Sequence, residues 1–225
     1  MNLDYIFPTP VWWTDLDIDV NAMTDIVLDI ANNNEGQYRS NRGELNYQSP
    51  DYLGEQILND ESLEGDEFKK LLHVIKKNAE KAFGTYGAEM SHIEYANVWM
   101  NINGHGGYNE VHVHPGAVMS GVFYVKVPEG ECGKLVFYKD HTEGYLIHSL
   151  GIAEDMSTAE VPHTDTTYEY PPLAGRLFLF PAWVPHAVRD NQTEDDRISI
   201  SFNFVPVRNK ENLYNTIRKN AKQTI

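Results

Sequence analysis

Hydrophobic positions first follow a helical period. Met23, Ile26, Val27 and Ile30 stand at i, i+3, i+4 and i+7, with Asn21 placed to cap the helix and Asn32 to Asn34 to end it. Phe68, Leu71, Leu72, Ile75, Ala79, Ala82 and Phe83 predict a longer amphipathic helix, stopped by Gly84 and Gly87. The polar stretch from Gly36 to Gly54 between them is rich in turn residues and reads as a mobile lid. After Gly87 the texture changes. Residues 96–102, 119–127, 134–138, 176–180 and 198–205 are rich in Val, Ile, Phe and Tyr and are separated by Gly, Pro and Asn clusters, which predicts strands. No helical pattern lies among them, which argues against a parallel, doubly wound sheet. A short helix is expected over 211–222. The order predicts one mainly β domain over residues 1–225, a sandwich or barrel flanked by helices.

Charge narrows the function classes. Eighteen Lys and Arg against 33 Asp and Glu give a net charge of −15. That balance argues against binding bulk nucleic acid or an anionic membrane, both of which are held by excess basic side chains. No apolar run approaches the ~18 residues of a membrane span. The start Met1-Asn2-Leu3-Asp4 lacks the features of a secretory signal, so a soluble cytoplasmic protein is expected. The lone Cys132 excludes an internal disulfide and a multi-cysteine zinc site. Residues 1–66 carry 14 acidic side chains against Arg39 and Arg42, whereas the tail from Pro206 is basic. These are either solvated faces or complementary surfaces within one chain or between two copies, which leaves a homodimer open.

The nine histidines then become the interesting residues. In Asn109-Glu110-Val111-His112-Val113-His114-Pro115, alternation along a strand would put His112 and His114 on one face, about 7 Å apart. Glu110 would share that face. A third histidine, His186, follows the apolar strand at 176–180 through a proline-bounded turn. Eleven residues later, Arg197, Ser199, Ser201 and Asn203 alternate with Ile198, Ile200, Phe202 and Phe204. Either face of that strand can be the interior of a barrel-like sheet, and an interior Arg needs an anionic partner. His73, His92, His105, His141, His148 and His163 have no partners at ligand spacing. Cys132 reads as incidental, and Trp12, Trp13, Trp99 and Trp183 as core or cleft wall.

Taken in order, His112-Val113-His114, Ser120-Gly121-Val122-Phe123-Tyr124, Phe180-Pro181, His186 and Arg197 to Asn203 resemble the 2-oxoglutarate and Fe(II)-dependent oxygenases. The resemblance runs from Phe7 to Val205 and is to an uncharacterised His-x-His branch typical of marine bacteria and their phages. It implies a double-stranded β-helix, or jelly roll. It also implies His112, His114 and His186 as ligands of Fe(II), and Arg197 as partner of the distal carboxylate of 2-oxoglutarate. Ser199 and Tyr124 would assist, with Asn101 and Asn203 as further candidates on the same faces. The implied reaction hydroxylates a small-molecule or peptidyl substrate and releases succinate and CO2. Relatives outside this branch carry Asp or Glu where His114 stands, and Glu110 could supply a carboxylate in its place.

Two other readings remain open. The glycine, histidine and proline spacing also resembles the two cupin motifs, although Val118 and Met119 stand where a cupin glutamate is expected. A metal-free interaction protein with vestigial histidines is the third. Arg197 separates the first two, because a cupin has no need of a basic group there.

Overall fold

The computed structural model describes residues 8–33, 36, 46–53, 66–86, 92–139 and 167–206. Helix α1 (Val20–Asn33) begins earlier than the pattern suggested. Its cap is Asp19, whose Oδ1 accepts from the backbone N–H groups of Asn21 (3.0 Å) and Ala22 (3.1 Å). Two otherwise orphaned donors of the first turn are thereby satisfied two residues ahead of the expected cap at Asn21. Helix α2 (Asp66–Gly84) matches its predicted core span.

The strands build two antiparallel sheets. The larger runs β1 (Trp12–Asp15), β9 (Arg176–Pro181), β6 (Met119–Lys126), β11 (Arg197–Pro206), β4 (Ile93–Asn103) and β2 (Asn46–Gln48), with β3 (Tyr52–Leu53) also on β4. The smaller runs β5 (Asn109–His112), β10 (His186–Val188), β7 (Leu135–Tyr138) and β8 (Thr167–Tyr170). This is the jelly-roll arrangement. The expected long strands are all present.

Strand alternation decides which face of the larger sheet looks where. Ile198, Ile200, Phe202 and Phe204 of β11 are buried in one apolar cluster with Met23 and Val27 of α1 and Phe68, Leu71 and Leu72 of α2. Their alternates Arg197, Ser199, Ser201 and Asn203 therefore face the smaller sheet. A second cluster joins Val122, Tyr124, Phe178 and Phe180 of the larger sheet to Leu135 and Phe137 of the smaller. The helices cover the apolar face, and the polar face becomes the lining of the cleft between sheets.

Part of the expected lid is sheet instead. Asn46–Gln48 pairs with Asn103, Ile102 and Asn101, and Tyr52–Leu53 pairs with Val98 and Asn97, because β4 is long enough to hold both. Residues 37–45 and the expected helix at 211–222 lie outside the described residues. Among the described residues, no helix is long and apolar enough to cross a membrane.

Candidate metal centre

His186 opens β10 and pairs in register with His112, the last residue of β5, across the smaller sheet. His114 lies beyond the end of that strand. Its backbone N–H donates to the Ala182 carbonyl at 2.9 Å, which ties the loop after β5 to the turn after β9. His112 and His114 point to the same side, as alternation predicts, with Val111 and Val113 exposed between and beside them, although the strand itself ends at His112. The turn at 115–116 follows His114, closed by the Ala117 N–H on the His114 carbonyl at 3.3 Å.

The three rings converge. Centroids are 4.3 Å apart for His112 and His186, 4.9 Å for His112 and His114, and 5.1 Å for His114 and His186. One nitrogen from each lies within 4.8 Å of the other two. Glu110 is exposed and stands outside this cluster, so the described arrangement is three imidazoles without a carboxylate.

Hydrogen bonds set the tautomers. His112 Nδ1 lies 2.6 Å from the Glu110 carbonyl and His186 Nδ1 lies 2.8 Å from the Val184 carbonyl. A carbonyl only accepts, so both Nδ1 atoms carry the proton and both Nε2 atoms present lone pairs. His114 Nε2 approaches His186 Nε2 at 3.3 Å, so its proton sits between them. With the proton there, His114 Nδ1 faces the donor Asn203 Nδ2 at 3.5 Å; a metal on Nε2 would instead move the proton to Nδ1. Burial, then the neighbouring His112 charge, lowers the pKa of His186 to about 3 and that of His114 to about 4. Both are held neutral near pH 7, the state in which imidazole binds a metal. The donor set fits an ion such as Fe(II), for which imidazole is a suitable ligand.

Behind the histidines is the basic group. Arg197 is 1 % exposed and is the largest fully buried side chain among the described residues. Its Nη1 donates to the Cys132 carbonyl (2.6 Å) and the Gly133 carbonyl (3.1 Å), and its Nη2 donates to Asn103 Oδ1 (3.0 Å). Among the described residues no carboxylate lies within ion-pair distance of it. Burial pushes its pKa down, while Tyr124 and Cys132 push it up. Tyr124 is also buried, and among the described residues its hydroxyl has no hydrogen-bond partner. Burial raises that hydroxyl to about 12, so it stays a donor. A buried cation without an anion and a buried hydroxyl without a partner are both costly, and a ligand carboxylate would satisfy both.

The predicted site residues separate into two groups. Arg197, Ser199, Tyr124 and Asn101 line the narrow inner end of the cleft with all three histidines. Asn203 lies against His114 and lines the wider outer part, a cavity of about 500 Å³. Asn103, Gly133 and the Cys132 carbonyl were not singled out by the sequence. Two of these contacts are made by backbone oxygens, which carry no residue signature. His73, His92 and His105 are exposed and away from the cluster, and His141, His148 and His163 lie outside the described residues.

Residues 97–203, which include the whole of this site, match a family model described as "Putative 2OG-Fe(II) oxygenase". No curated protein matches the chain by sequence. Among solved structures, the fold is similar to a prolyl-4-hydroxylase of Pseudomonas putida (TM-score 0.58, 13 % identity, covering 89 % of this chain and 94 % of that one). It is also similar to a Trichoplax adhaerens prolyl hydroxylase in complex with a hypoxia inducible factor peptide fragment (TM-score 0.57, 13 % identity, 87 % and 83 % covered). A third is HygX of Streptomyces hygroscopicus with nickel and 2-oxoglutarate bound (TM-score 0.55, 11 % identity, 88 % and 84 % covered). At these identities the likeness is one of fold. The family match lies over the histidines and Arg197, so the part of the chain that builds this site is the part that resembles the 2-oxoglutarate- and Fe(II)-dependent oxygenases.

Proposed function

We propose that this chain is a 2-oxoglutarate- and Fe(II)-dependent oxygenase that hydroxylates a small-molecule or peptidyl substrate, holding Fe(II) on His112, His114 and His186 and 2-oxoglutarate on Arg197. The observation that carries the reading is the buried Arg197, without a carboxylate partner, lining one narrow pocket with three converging imidazoles. Arg197 would hold the far carboxylate of the keto acid by a charge-assisted contact. The Tyr124 hydroxyl would donate to it, and Ser199 is placed to assist. When bound, the metal and keto acid supply dioxygen activation, one oxygen atom entering a substrate C–H bond and the other entering succinate as CO2 leaves. The chain's own part is to keep the imidazoles neutral and aimed. Val184 orients His186, and the Phe180 ring packs beside it at 4.6 Å, which excludes water from that side. A cupin gives no task to Arg197 or Tyr124.

The finer reading includes the His-x-His branch of marine bacteria and phages, a cytoplasmic location, and a homodimer joined through the basic tail. Gel filtration tests the dimer.

The deciding experiment is an anaerobic titration of Fe(II) and then 2-oxoglutarate, following the visible charge-transfer band of the chelate. The expected result is a band at one equivalent of each in wild type. It should be absent in His186→Ala, whose iron content should fall strongly, and retained in Glu110→Ala. No band and no heat of binding in wild type would overturn the reading and favour the cupin. Iron lost in Glu110→Ala but kept in His114→Ala would redraw the triad around Glu110.

A further inference from the structure

The outer part of the cleft has an unusual lining. Six asparagines contribute to it, Asn46, Asn97, Asn101, Asn103, Asn109 and Asn203, and two carboxylates, Asp51 and Glu110. Among the described residues, no Lys or Arg lines it. From this we infer that the cleft takes a cationic, polyhydroxylated substrate of oligosaccharide size, such as an amino sugar. The inference rests on the oxygenase reading for the reaction, but not for the binding.

The amides are fixed in place. Ser120 donates to Asn203, Asn203 to Asn97, and Asn97 to Asp51, at 2.6, 3.0 and 3.3 Å. Asn103 donates to Asn46 at 2.8 Å, and Asn101 donates to Ser201 at 3.1 Å. Each carboxamide has two donor hydrogens and a carbonyl with two lone pairs, and for most of them these bonds use only part of that capacity. Asn203 is fully engaged with Ser120, Asn97 and His114, whereas Asn101 keeps its carbonyl and Asn46, Asn97 and Asn103 each keep an N–H that no bond among the described residues uses. A hydroxyl both donates and accepts, so adjacent hydroxyls match these carbonyl and N–H groups. An apolar ligand would strip the amides of water without replacing their hydrogen bonds, which is costly.

Trp99 adds the other half of a sugar site. Its ring lies 5.8 Å from the His114 ring and lines the cleft beside the histidines, offering an apolar face to the C–H surface of a pyranose. The volume of about 500 Å³ falls within the range of ligand pockets. Charge sets the sign of the ligand. Asp51 and Glu110 are exposed at the cleft, and the chain's net charge of −15 favours the approach of cations over anions.

Three trisaccharides of similar size test this, namely the glucosamine trimer, maltotriose and trigalacturonate, with a proline-containing tetrapeptide as the fourth probe. Each is titrated calorimetrically into the full chain, metal-free and then loaded anaerobically with Fe(II) and 2-oxoglutarate. The glucosamine trimer should bind at least tenfold more tightly than maltotriose, and trigalacturonate should not bind. In Asp51→Asn/Glu110→Gln the glucosamine preference should fall to within about twofold, with maltotriose binding kept as the sign that the cleft is intact. Trigalacturonate binding as tightly as the glucosamine trimer, or the tetrapeptide binding while no sugar does, would overturn the proposal. Binding to the metal-free chain is independent of iron, so a failed chelate band with retained sugar binding would sink the oxygenase reading alone.

Discussion

In the proposed reaction, 2-oxoglutarate binding turns on one guanidinium, Arg197, which is 1 % exposed and surrounded by neutral oxygens. Its Nη1 is fixed by the Cys132 and Gly133 carbonyls, so the side chain is held in place before any keto acid arrives. Arg197→Ala should therefore weaken 2-oxoglutarate binding by about 2–5 kcal/mol, the range for truncating one partner of a buried charge pair. Iron binding should be unchanged, since no imidazole is lost. Arg197→Lys should recover only part of the affinity, because an ammonium lacks the planar fork. Gly133→Ala should act in the same direction. Gly133 has φ +91°, and a Cβ there would collide with the Arg189 carbonyl and the Arg197 guanidinium. Calorimetry of 2-oxoglutarate into the anaerobic Fe(II) protein checks all three, and unchanged affinity in Arg197→Ala would remove the residue from its role. Arg197 was legible in the sequence as the polar start of an alternating strand within a family pattern. Gly133 was not, because its effect comes from a backbone turn brought 64 residues back along the chain.

At the scale of elements, the jelly roll keeps two apolar cores on opposite sides of one sheet. Leu71 of α2 is fully buried in the outer core, packed with Ile200 and Phe202, whereas Tyr124 and Phe178 belong to the inner one. Leu71→Ala should cost about 2–5 kcal/mol in urea unfolding, the usual penalty for a cavity left by a buried leucine. It should leave iron and 2-oxoglutarate affinity unaltered, because the larger sheet lies between the cavity and the cleft. A parallel loss of affinity would mean that the helices position the site. The long elements were legible, since α2 and β11 repeat their periods enough times to be read. The short strands were not. β2, β3, β5 and β10 have two to four residues each, too few for a period; β2 and β3 exist because the long β4 offers a register, and β5 and β10 because they pair with each other and β10 with β7. His114 was legible by alternation even though β5 ends at His112, because the Ala182 carbonyl holds the His114 N–H and keeps its ring beside that of His112.

For the whole molecule, the buried imidazoles link the site to global stability. His114 and His186 are held to pKa values of about 4 and about 3, against an ordinary value of 6.5. Above about pH 6.5 both are neutral in the folded and the unfolded chain, and they impose no penalty. As pH falls below 6.5 the unfolded chain takes up two protons that the metal-free fold refuses until about pH 4 and about pH 3. The unfolded state then binds more protons than the folded one, so stability rises with pH through this window and falls with acid. The metal-free protein should lose urea midpoint steadily between pH 7 and pH 5, above the range in which most carboxylates titrate. His114→Gln/His186→Gln should flatten that slope, since neither amide titrates there. Iron should strengthen the dependence, because the bound state requires both nitrogens unprotonated and acid must displace the metal. A wild-type midpoint that stays level from pH 7 to pH 5 would mean that these imidazoles accept protons in the folded chain, and that burial does not keep them ready for a metal.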